Sequence, residues 1–164
     1  MSITTDKRQP ALVGGLVVGV LSALPLISAG NLCCCLWVVS GGVVAAYLLQ
    51  QNQTTPITQG DGALVGLLAG IVGAFVYLLL SIPITLLVAP MERLVLQRIL
   101  ESTGDMPLEF REYARAYVGG GFRVAIGFAL MLFVGSIFST LGGLLGAVFF
   151  AKPPTAAIDI PPPA

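Results

Sequence analysis

Apolar positions fall into four long runs along the chain: Pro10 to Ala29, Leu32 to Leu49, Gly62 to Ala89 and Phe122 to Phe150. A helix needs about 20 apolar residues to cross the hydrocarbon of a bilayer, so each run is predicted to form one membrane helix. No run carries an ionisable residue in its interior. Arg123 stands at the start of the last one, where its long side chain can reach the headgroups while its stem stays among apolar neighbours. Little more than Gly30 and Asn31 separates the first two runs, which predicts a tight antiparallel hairpin. The third and fourth runs exceed the length of a span and are expected to tilt, kink at Pro83 or project from the bilayer. The predicted fold class is all-α integral membrane, one domain over residues 1–164 with four transmembrane helices in two antiparallel hairpins.

The second hairpin echoes the first. Ala11-Leu12-Val13-Gly14 recurs as Ala63-Leu64-Val65-Gly66, and Gly41-Gly42-Val43-Val44 is answered by Gly142-Gly143-Leu144-Leu145. A true repeat would relate the hairpins by a pseudo-twofold axis along the membrane normal, as in some transporters. The restricted alphabet of membrane helices also produces such echoes by coincidence, and the sequence leaves both origins open.

Polar character is concentrated in the connector at 90–118, which reads as an amphipathic helical segment between the third and fourth membrane helices. Pro90 suits the first turn of one short helix, with Met91, Leu94, Val95 and Ile99 on one face. A second helix starts near Pro107 and aligns Phe110, Tyr113 and Tyr117 in one stripe, a surface suited to headgroup depth or to docking a protein partner. Between the hairpins, a loop rich in Gln, Asn and Thr ends at Asp61, which is placed to cap the third helix. The tail at 152–164 is Pro-rich and is expected to be disordered.

Composition agrees with lipid as the solvent. Apolar residues make up 56% of the chain and charged residues 10%, against about a quarter charged in a soluble domain. Eight basic and eight acidic residues balance to zero, so no basic surface points to nucleic acid. The expected partners are the lipid bilayer and another membrane protein or a second copy of this chain. Arg93, Arg98, Arg111, Arg115 and Arg123 outnumber Lys7, Arg8 and Lys152, which favours a cytoplasmic connector. Lys7 and Arg8 precede the first span and argue for the opposite orientation.

Candidate chemistry is sparse. Cys33, Cys34 and Cys35 are adjacent, so on a helix they point about 100° apart and cannot converge on one metal. No His is present, which removes Ser-His and Cys-His nucleophile pairs and the commonest metal ligand. Glu109 and Glu112 lie one turn apart, but Arg111 and Arg115 are near enough to make them ordinary ion pairs. No catalytic, cofactor or metal site is therefore expected. The positive signal is the spacing of small residues. Gly62, Gly66, Gly70 and Ala74 fall every fourth position, as do Gly135, Ser139, Gly143 and Ala147, with a shorter set at Gly15, Gly19 and Ala23. Such stripes let membrane helices approach closely, where packing rather than the hydrophobic effect drives association.

The segment Asn31-Leu32-Cys33-Cys34-Cys35-Leu36-Trp37, followed by Gly41-Gly42 and Ala45-Ala46-Tyr47, resembles the Cys-rich first hairpin of small, uncharacterised bacterial four-helix membrane proteins. The resemblance covers that hairpin only. It implies a bacterial inner-membrane location and carries no activity. The expected function is a non-catalytic membrane component, an accessory subunit or homo-oligomeric scaffold packed through Gly-rich faces. A small transporter or channel built from two repeated hairpins is the alternative.

Overall fold

The structure, a computed structural model, describes residues 7–24, 35–102, 107–119 and 121–152. Every regular element among them is a helix: α1 (Arg8–Ala23), α2 (Leu36–Gln51), α3 (Gln59–Ser102), α4 (Leu108–Gly119) and α5 (Gly121–Phe150). Two of these, α3 and α5, are long and apolar enough to cross a membrane. Helices α1 and α2 have 16 residues each, a rise of about 24 Å.

Helix ends follow local chemistry. Pro10 sits buried in the first turn of α1, where its missing N–H has no helical acceptor to lose. The run predicted to continue to Ala29 stops as a helix at Ala23, because Leu24 precedes Pro25 and is extended (φ −78°, ψ 122°). Cys35 caps α2 in the left-handed region (φ 53°), so α2 begins at Leu36 rather than Leu32. The expected turn at Gly30 and Asn31, Cys33, Cys34 and the tail beyond Lys152 lie outside the described residues.

At the start of α3 the Thr58 hydroxyl accepts the Asp61 N–H (3.1 Å), and the Asp61 carboxylate accepts the Thr58 hydroxyl (2.7 Å) and N–H (3.3 Å). This is a reciprocal capping box, in which Asp61 supplies the acid inside the first turn. The other end of α3 corrects the sequence reading. Pro90 does not begin a separate helix; α3 runs for 44 residues through Pro83 and Pro90 to Ser102. Each proline leaves one carbonyl four residues earlier without its helical donor, but the intervening turns are intact. The connector is thus an extension of α3 followed by α4.

The four longer helices alternate in direction. Gly15 and Gly19 of α1 face Val72 and Val76 of α3 in the same order, so these two run parallel. Gly42 and Gly146 set α2 parallel to α5 in the same way. Around the bundle the order is α1, α2, α5, α3, and contact between α2 and α3 closes one diagonal. A twofold axis exchanging the hairpins would turn that contact into one between α1 and α5. Among the described residues α1 and α5 do not touch, so the echo in sequence does not extend to a symmetric bundle.

Side-chain size is sorted inward by smallness. Glycine, alanine and serine dominate the buried positions, and Leu49, Gln50, Val18 and Val65 are among the largest fully buried side chains. Leu79, Leu86, Leu87, Phe133 and Phe149 are each more than 70% exposed. Tyr47 against Phe150 (5.1 Å between centroids) and Phe75 against Phe128 (5.5 Å) pin α5 to α2 and α3.

Candidate functional site

The densest part of the molecule is built from residues with almost no side chain. A Cβ at Gly62 would lie 2.6 Å from the Ala147 Cβ, and one at Gly70 would lie 2.8 Å from the Ser136 Cα. Gly66 and Gly143 meet almost backbone to backbone, since a Cβ on either would stand 3.0 Å from the Cα of the other. Fully buried Ser139 donates its hydroxyl to the Gly66 carbonyl (2.8 Å). From the opposite side, Gly42 of α2 closes on Ser139 and Gly143. Three helices therefore meet at one level.

Successive helical residues point about 100° apart, and the paired glycines use that angle. Gly14 faces Ala45 of α2 while Gly15 faces Val72 of α3. Gly41 faces Val18 of α1 while Gly42 faces α5; Gly142 faces Val39 of α2 while Gly143 faces α3. Each doublet gives its helix two close neighbours at once. The fourth-position stripes predicted from sequence thus lie on contacts within the chain: Gly15 and Gly19 on α3, Gly62, Gly66 and Gly70 on α5, with Ala74 and Ala147 also buried. Gly135 differs from its stripe. A Cβ there would meet only Met131 of its own helix, at 3.6 Å, and the contact with Gly70 is made by the Gly135 carbonyl. Gly14, Gly41, Gly42, Gly73, Gly142 and Gly146 were not selected by the fourth-position rule, although the doublets were visible as Gly-Gly.

Polar groups gather at the two ends of the apolar zone. At one end Lys7 pairs with Asp61 at 2.6 Å. The Lys7 ammonium, helped by the Thr58 hydroxyl, holds the Asp61 carboxyl below its ordinary range. Beside it, buried Gln50 accepts the Ile57 N–H (2.9 Å) and donates to the Thr55 carbonyl (3.1 Å), and Lys152 donates to the Gln53 carbonyl (2.8 Å). At the other end Arg123 of α5 pairs with Glu92 of α3.

Comparisons with protein-family models, curated proteins and solved structures found no match.

The remaining predicted positions lie apart from the glycine contacts. Phe110 and Tyr113 are both exposed on α4, one turn apart, and the side chain of Tyr117 lies outside the described residues. Cys35 is half-buried at the head of α2. The arrangement is a packing device with charged rims. Among the described residues the surfaces open to binding are the exposed apolar flanks, the α4 aromatics and the rim at Glu92 and Arg123.

Proposed function

We propose that this chain is a multi-pass membrane protein with a structural, non-catalytic role, presenting α4 and the end of α3 to a second membrane protein or another copy of itself. The observation that carries the membrane reading is the placement of large apolar side chains. In the most apolar stretches of α3 and α5 only 33% and 17% of residues are buried, whereas the core helix of a soluble protein hides most of its apolar face. Spacing of the rims supports it. Between Asp61 and Glu92 α3 is uncharged, a rise of about 45 Å, and α5 is uncharged from Arg123 to Lys152, about 42 Å. A bilayer with its headgroup regions is about 40–45 Å thick.

On this reading α1 and α2 complete four spans. The setting is a bacterial inner membrane with the connector cytoplasmic. The Gly-rich faces hold the chain together rather than joining it to a partner, and of the surfaces left open we assign docking to the exposed aromatics Phe110 and Tyr113 of α4. A transport role fits less well, because α2, α3 and α5 close on one another at Gly42, Gly66 and Gly143 and no charged group lies between the rims of α3 and α5. The test is fractionation followed by purification in mild detergent. The expected result is retention in membranes after alkaline extraction, with a fixed partner or oligomer lost on Phe110→Ala and Tyr113→Ala. Extraction by alkali would sink the membrane role, and an unchanged assembly would sink the docking surface.

A further inference from the structure

The rim formed by Glu92 and Arg123 borders an open, groove-like cavity of about 410 Å³ along α3, whose apolar lining includes Val88, Met91, Val95 and Ile99. Both charged side chains remain about a quarter exposed, so a ligand in the cavity can touch them without breaking their pairing. On the membrane reading, which this inference rests on, Arg123 and Glu92 stand at headgroup depth. The cavity then continues the apolar flank of Leu86, Leu87 and Met91 into that layer. A lipid is the occupant this placement selects.

Charge selects the headgroup. A guanidinium beside a carboxylate makes a site with no net charge but two fixed poles. An anionic headgroup would gain from Arg123 and lose nearly as much to Glu92. A zwitterionic headgroup with a primary ammonium gains from both, with phosphate on the guanidinium and ammonium on the carboxylate. A quaternary ammonium offers Glu92 no N–H donor, so it loses the charge-assisted hydrogen bond and keeps only a longer, weaker Coulomb attraction. The geometry points to a site for phosphatidylethanolamine, its headgroup bridging Arg123 and Glu92 and its acyl chain leaving past Met91 and Val88 toward the hydrocarbon, while Val95 and Ile99 line the groove on the headgroup side.

Native mass spectrometry of the full chain in mild detergent tests this with phosphatidylethanolamine, phosphatidylglycerol and phosphatidylcholine of identical acyl chains. Wild type is expected to retain phosphatidylethanolamine about fivefold better than either of the others, the factor of one charge contact at headgroup depth. Glu92→Gln leaves Arg123 alone and reverses the preference toward phosphatidylglycerol. Arg123→Gln weakens retention of phosphatidylethanolamine, and Val88→Trp fills the hydrocarbon side of the groove and weakens all three lipids. Arg98→Gln removes the same charge away from the cavity and leaves retention unchanged; circular dichroism checks that each variant is folded. Equal retention of all headgroups by wild type, or a preference that Glu92→Gln leaves unmoved, overturns the site while leaving the membrane reading intact. A chain that stays monodisperse without detergent and binds no lipid overturns the membrane reading instead, and the site with it.

Discussion

A methyl group is enough to separate α3 from α5, and which methyl matters can be read position by position. Gly66→Leu drives a side chain into the Gly143 backbone and is expected to cost about 1–3 kcal/mol, the usual penalty for overpacking. Gly135→Ala, on the same predicted set of contacts, meets only the flexible Met131 and should be neutral or stabilising by up to about 1 kcal/mol from the gain in helix propensity. Thermal unfolding in detergent compares the two; equal destabilisation would contradict the assignment of faces. Gln50→Met leaves the Ile57 N–H, on a residue only 6% exposed, without its acceptor and should cost about 1–3 kcal/mol. The fourth-position spacing was legible in the sequence, but the direction of each Cα–Cβ bond was not. Gly135 and Gly66 are alike in spacing and differ only in what lies opposite them. Gln50 was hidden for another reason: a polar residue at the end of an apolar run reads as a solvated loop until the chain at Thr55 and Ile57 is folded over it.

Helix ends are decided by one or two residues, and there the sequence misleads where two signals compete. Pro25 ended α1 early through its effect on Leu24, whereas Pro83 and Pro90 failed to end α3. From Gly62, which meets Ala147, to Glu92, which pairs with Arg123, α3 rises about 45 Å while α5 rises about 36 Å between the partners. The surplus exceeds the reach of Arg123 alone and predicts a bend of α3 at Pro83 and Pro90. Replacing both prolines by Ala should straighten α3, and spin labels at Thr58 and Gln97 should move apart by several ångströms; an unchanged distance would remove the bend. The capping box at the other end responds to pH. Because the Asp61 carboxyl is held below its ordinary range, its ionised form stabilises the fold at neutral pH, and that contribution is lost as pH falls below about 4. Thermal unfolding of wild type should therefore weaken more between about pH 5 and about pH 3 than unfolding of Asp61→Asn. Partial exposure keeps the difference small.

At the scale of the whole molecule the fold inverts the sorting of a soluble protein, with glycine and alanine inside and leucine and phenylalanine outside. The composition announced this, since a chain so poor in charge has too little polar surface to cover itself. The arrangement of the hairpins was less accessible. The echoes between Gly14 and Gly66 suggested symmetry, yet the doublets Gly41-Gly42 and Gly142-Gly143 present different members to their hairpin partners: Gly41 faces α1 and Gly143 faces α3. A shift of one residue turns a helix by about 100° and undoes the equivalence that the letters suggest. The most direct test of the central claim is the accessibility of single nitroxide labels at Leu79, Leu86 and Phe133 in the protein reconstituted into bilayers, with Cys35 and its neighbouring cysteines replaced. Facing lipid, these labels should collide readily with dissolved oxygen and hardly at all with a water-soluble nickel chelate, whereas a label at Glu101 should show the reverse. Ready collision of the chelate with labels at Leu79, Leu86 and Phe133 would contradict the account.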